Sequence, residues 1–211
     1  MSKLRANNLS PLDDSVTIDV ANLLDTSRTA STNIAAELGY KSSCNKSVLR
    51  TIQDDLDDRV SAKRCDAKGD GKTDDSAAIQ AALDTGKEVF LPAGNYVIST
   101  GLVIPPGGAL YGESLTSTVL LPSSAINAVT FSSGRGGRLE KLSINYSGDT
   151  AVTGIAVDIP DQAMSTCVKQ VYVTAPHTGL RIGNCQGSSI ENFDCWYFVN
   201  YGIHINDNFN D

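Results

Sequence analysis

From Gly86 to the last residue the chain alternates short apolar runs with Gly, Pro, Asn and Ser, and two repeats run through it. In the first, glycine precedes an apolar-x-apolar triplet: Gly154-Ile155-Ala156-Val157, Gly179-Leu180-Arg181-Ile182 and Gly202-Ile203-His204-Ile205, with glycines 25 and 23 residues apart. In the second, apolar residues hold relative positions one, four and six: Leu139, Leu142 and Ile144, then Val168, Val171 and Val173, then Ile190, Phe193 and Cys195. The two series interleave in the same order each time. Each turn of chain then contributes one strand to each series, and stacked turns align like with like, about 4.8 Å apart, with side chains alternately in and out. A β-sandwich, with strands every ~8–12 residues, does not require this order. The pattern predicts a mostly β solenoid. Stacking would bring Gly154, Gly179 and Gly202 into one column, Ala156, Arg181 and His204 into another, and Ser143, Tyr172 and Asp194 into a third. Trp196 would lie beside Asn145 and Thr174.

Upstream, the period changes. Leu49, Ile52, Leu56 and Val60 follow one another at spacings of three, four and four, with Asp54, Asp55, Asp57, Asp58 and Arg59 opposite. This predicts a helix over residues 46–63. Its seam fits either a short parallel coiled coil between copies of the chain or a single amphipathic helix packed on its own domain. Four aspartates toward its C-terminal half oppose the helix dipole. Before it, residues 1–44 are polar and irregular, with one short alternating strand at Val16, Ile18 and Val20. The expected organisation is a leader over 1–44, a helical neck over 45–64 and the solenoid over 65–211.

The junction between neck and solenoid carries the most specific segment, GDGKTDDSAAIQAALDTGKEVFLPAGNY, from Gly69 to Tyr96. Asp70-Gly71 forms a turn, and Thr73 or Asp74 caps a short helix whose narrow apolar face is Ile79 and Leu83. Gly86 ends that helix, and Val89-Phe90-Leu91 opens a strand that stops at Pro92.

Composition narrows the partners. Net charge is −7, from 17 Lys+Arg against 24 Asp+Glu, with no basic cluster, which argues against nucleic acid and anionic membrane surfaces. No segment has the length of a membrane-spanning helix, and the first residues lack the apolar run of a signal peptide. The five cysteines show no CxxC pair. They read as reduced, mostly buried thiols, as expected of a chain that folds in a cytoplasm.

The Gly69–Tyr96 segment, continued by Tyr111-Gly112-Glu113 and Ser117-Thr118-Val119-Leu120-Leu121, resembles the pectate-lyase-like superfamily of right-handed parallel β-helices. Within it, the segment is similar to bacteriophage tailspike and tail-fibre proteins, in which a GDGxTDDxxAIQxAL motif leads into LPxGxY. Here Cys65-Asp66-Ala67 stands where Phe-Gly is usual. The resemblance implies a homotrimer with Leu49, Ile52, Leu56 and Val60 as its neck seam. It further implies attachment of the N-terminal part to a phage tail, baseplate or adaptor protein, and encounter with bacterial surface polysaccharide, directly or through a distal region. It places the protein in a virion assembled in the host cytoplasm.

Polysaccharide cleavage on such a fold needs two carboxylates, ~5–5.5 Å or ~6.5–9.5 Å apart, or a base with Ca²⁺ or Arg to neutralise a uronate. Asp158, Asp161, Glu191, Asp194 and Asp207 are the candidates. Asp194 is preferred because Tyr172 and Trp196 supply a sugar-stacking surface beside it. Arg181, with Tyr172 and Trp196, completes the candidate glycan contacts. Outward polar residues on a solenoid are more often solvated or packed at a subunit interface. His177 reads as a loop residue and His204 as part of a surface ladder, with no zinc-ligand spacing at either. No metal or cofactor is expected. After Ile205 no capping element follows, so the chain is expected to be the proximal piece of a longer spike, or an adaptor whose open end another tail protein covers. A virion structural role leads, with a polysaccharide depolymerase and a non-catalytic glycan-binding module as rivals.

Overall fold

The computed structural model describes residues 39–41, 49–51, 59–122, 125–146 and 153–206. Two units divide the chain, Met1–Asp58 and Arg59–Asp211. In the first, Gly39–Lys41 pairs antiparallel with Leu49–Thr51. The leader strand expected at Val16–Val20 lies outside the described residues.

The helix expected over residues 46–63 is not what the described positions form. Leu49 sits in a strand, Val60–Ser61 is a strand, and Ala62–Cys65 is a 3-10 turn. Val60 pairs in parallel with Val89 and is 8% exposed, so its side chain belongs to the solenoid's own core and not to a seam between subunits. Ile52 and Leu56 lie outside the described residues. The 3-4-4 spacing suits a helix, yet β-branched Val60 gains more from a buried position on a ladder than from helix propensity.

The second unit is a parallel β-solenoid whose strands stack on three faces. The first face carries the inward column Val60, Val89, Leu110, Leu139, Val168 and Ile190. The second carries Tyr96, Leu120, Ile144, Val173 and Cys195. The third, a five-stranded sheet from Leu102–Ile104 to Tyr201–Ile205, carries Leu102, Val129, Val157, Leu180 and Ile203. Most of these side chains are wholly buried, each contributing about 1.5–3 kcal/mol before chain entropy is subtracted. The apolar residues at positions one, four and six therefore stack as the sequence predicts.

The first two faces are joined by bends within single long strands. In Arg138–Asn145, Cys167–Thr174 and Ser189–Trp196 the bend falls at Lys141, Gln170 and Asn192, with φ of 56°, 53° and 51°. Left-handed backbone at this point turns residues 138–140 onto one face and 143–145 onto the next.

The N-terminal mouth is closed by helix Ser76–Leu83, whose Ile79, Ala82 and Leu83 are fully buried. Asp74 Oδ1 holds its first turn, accepting the Ser76 N–H at 3.0 Å and the Ser76 hydroxyl at 2.6 Å. Asp75 turns the other way and accepts the N–H groups of Lys68 and Gly69 at 2.6 and 2.9 Å. Gly69, at φ 64°, lies against the buried Tyr96 ring, 2.9 Å from where a Cβ would stand.

The glycine series stacks differently from its expectation. Leu180 pairs with Ile203, so Gly179 and Gly202 do lie together. Val157 pairs with Leu180, however, which sets Ala156 beside Gly179 and Asp158 beside Arg181. The inward apolar residues set the register, and Gly154 answers a different need: a Cβ there would come within 3.0 Å of the Tyr146 ring.

Candidate functional site

The preferred candidates occupy the outer side of the second face. Ser143, Tyr172 and Asp194 form one outward row, and Asn145, Thr174 and Trp196 the next. Along the first row exposure rises coil by coil. Ser143 is buried, its hydroxyl donating to the Leu115 carbonyl; Tyr172 is half-buried and Asp194 exposed. Trp196 is 55% exposed and its ring lies 6.5 Å from that of Tyr197. Tyr172, Asp194 and Trp196 are thus brought together on one surface. Beneath them Cys195 points inward, where burial pushes its thiol up to about 11, a value that keeps it protonated and unreactive. Among the described residues Cys65, Cys167, Cys185 and Cys195 are free thiols.

Arg181 is not part of that surface. It stands on the five-stranded third face, in the row Thr130, Asp158, Arg181, His204. Its Nε and Nη2 donate to Asp158 Oδ1 and Oδ2, both at 2.7 Å, in a two-pronged ion pair, and Asn127 Nδ2 reaches Asp158 Oδ2 at 3.4 Å. Asp158 is 3% exposed. A buried carboxylate needs such a partner, because desolvation without one is costly. Sequence reasoning missed this pair by two residues of register. The signal was present, since Asp158 and Arg181 are 23 residues apart, the same interval as Gly179 to Gly202.

Two of the remaining candidate carboxylates are held as structural acceptors. Asp161 accepts the Asn184 N–H at 2.7 Å, and Glu191 pairs with Lys169 at 2.7 Å. Asp207 lies outside the described residues. His204 stacks on Tyr201, ring centroids 4.6 Å apart and 17° from parallel. His177 Nδ1 lies 3.5 Å from the Thr178 hydroxyl. Among the described residues no group of three or more His, Cys, Asp or Glu is arranged to hold a metal ion. Asp70 accepts the N–H groups of Lys72 and Thr73 at 2.9 and 2.8 Å, and the Thr73 contacts and the Lys72 N–H hold its carboxyl down at about 2.

The family model that matches this architecture, over residues 59–196, is rhamnogalacturonase A/epimerase, pectate lyase-like. The chain belongs to that family. Among curated relatives it is 31% identical over 150 residues to the tail spike protein of Shigella phage Sf6, covering 65% of this chain and 24% of the relative. It is 34% identical over 73 residues to the pre-neck appendage protein of Bacillus phage phi29, covering 35% of this chain and 8% of the relative. Among solved structures, the A-module of mannuronan C-5 epimerase AlgE6 from Azotobacter vinelandii matches with a TM-score of 0.57 at 18% identity, over 69% of this chain and 52% of that one. The last likeness is one of fold. The chain spans a quarter or less of the length of the two phage relatives, and a solenoid of this family hosts many activities.

Proposed function

We propose that this protein is a structural component of a phage tail spike or tail fibre, a solenoid segment that carries host recognition on a trimeric base. The observation that supports it most is the 31% identity to a phage tail spike protein over 150 residues. In this reading residues before the solenoid dock on the tail or an adaptor protein, the particle is assembled in the host cytoplasm, and the outer rows meet bacterial surface polysaccharide. Tyr172 and Trp196 supply faces for sugar rings, and Asp194 an acceptor for their hydroxyls. Arg181 contributes through Asp158 to the stiffness of the third face. Sedimentation equilibrium of the purified protein tests the trimer: a mass three times that of one chain is expected, and a monomer at all concentrations overturns it.

An enzyme reading is favoured by one observation, the exposed Asp194 beside Tyr172. It requires that the protein shorten a bacterial surface glycan and that Asp194→Asn abolish the cleavage. Intact glycan after incubation with the native protein removes it.

A further inference from the structure

The third face begins on a strand of three residues, Leu102–Ile104. In a parallel ladder the N–H and C=O of one residue point to the same side, and the side alternates along the strand. Leu102 donates to the Ala128 carbonyl and the Ile104 carbonyl accepts from Ser132, so both residues face the next coil. Val103 turns its backbone groups the other way, toward the place of a preceding strand that the five-stranded sheet does not have. Helix Ser76–Leu83 fills that place with one side chain. Gln80 Oε1 accepts the Val103 N–H at 2.8 Å, and Gln80 Nε2 donates to the Val103 carbonyl at 3.1 Å. Nε2 also donates to Asp84 Oδ1 at 2.7 Å, four residues on, which fixes the amide in place. A primary amide carries both the donor and the acceptor of a peptide group, so Gln80 does at Val103 what a neighbouring strand would do. Burial of Ile79, Ala82 and Leu83 accounts for the docking of the helix; it does not account for a half-buried amide aimed at one strand.

The opposite edge of the same sheet shows what the amide keeps out. Tyr201–Ile205 is its last strand, and Asn206 donates back to the Ile182 carbonyl. By the same alternation the backbone groups of Ile203 and Ile205 point away from the sheet. Ile203 and Leu102 stand at the two ends of one inward column. A second copy placed head to tail would therefore set Ile203 beside Leu102 and direct its ladder bonds to Val103. A contact of that kind does not close on itself and grows into filaments.

We propose that the Gln80 side chain seals the first strand of the third face against pairing with Tyr201–Ile205 of a second copy of this chain. The seal concerns the solenoid alone and does not depend on the tail spike reading. Gln80→Leu tests it, because leucine matches glutamine in helix propensity and removes only the amide. In hydrogen exchange, the Val103 N–H of the variant should exchange about tenfold faster, as for the loss of one hydrogen bond. In sedimentation velocity, the variant should form species larger than the native protein, in a share that rises with concentration. Adding Ile203→Lys, at a side chain already 52% exposed, should remove those species. Should the leucine variant fail to fold, Gln80→Asn, whose amide falls one methylene short, must give the same results. A variant of native size at every concentration overturns the proposal, as do unchanged Val103 exchange and association that survives Ile203→Lys.

Discussion

Asp75 shows how one carboxylate holds the start of the solenoid together. It is 1% exposed and takes two backbone N–H groups, from Lys68 and Gly69, that no strand satisfies. Asp75→Ala leaves both donors unpaired in a partly buried site, and a loss of about 1–3 kcal/mol in urea unfolding is expected. Its neighbour Asp74 plays a different part. The hydroxyls of Ser76 and Ser99 donate to it and lower its carboxyl from 3.8 to about 2. Because the folded value lies below the unfolded one, the stabilisation is complete above 3.8 and is lost as pH falls toward about 2. Asp74→Asn should therefore flatten the fall in melting temperature across that window while lowering stability at neutral pH. An unchanged acid profile would count against this role.

At the scale of strands and coils, the register reveals what the sequence does and does not disclose. The apolar residues at positions one, four and six point inward on every coil, so their alignment follows from burial alone, and Leu139, Val168 and Ile190 stack as read. Glycines align only where they meet the same local need. Gly179 avoids Cys195, with Sγ 2.4 Å from where its Cβ would stand, whereas Gly154 avoids the Tyr146 ring and the Ile126 carbonyl. Residue identity was shared and physical role was not, so the Asp158–Arg181 pair stayed hidden. Val60, expected in the neck, departs from its expectation for a related reason, while Ile52 and Leu56 lie outside the described residues. Four apolar residues at helical spacing do not reveal that Val60 will extend a six-residue inward column instead.

The coil-to-coil ion pair between Arg181 and Asp158 is open to a direct test. Arg181→Met leaves the buried Asp158 carboxylate without its partner, and with Arg181 itself 35% exposed a loss of about 3 kcal/mol is expected, the low end for breaking a buried pair. Adding Asp158→Asn should return much of that loss. Additive losses in the double variant would mean that the two side chains do not interact.

Across the whole described solenoid, apolar exposure concentrates in one coil. Ile203 and Ile205 stand in inward columns yet are 52% and 60% exposed, close to Trp196, Tyr197, Phe198, Val199 and Tyr201. The exposure of Trp196 is therefore shared with a broad apolar surface and does not by itself mark a sugar contact. What distinguishes the Tyr172 surface is the polar row beside it. It belongs to a chain that is 31% identical over 150 residues to a phage tail spike protein. The assignment to a virion is tested most directly by immunogold electron microscopy, with antibody to the purified protein applied to intact phage particles produced from the genome that encodes it. Gold confined to the tail is the predicted result; particles that carry no gold, or carry it on the capsid alone, would contradict the account.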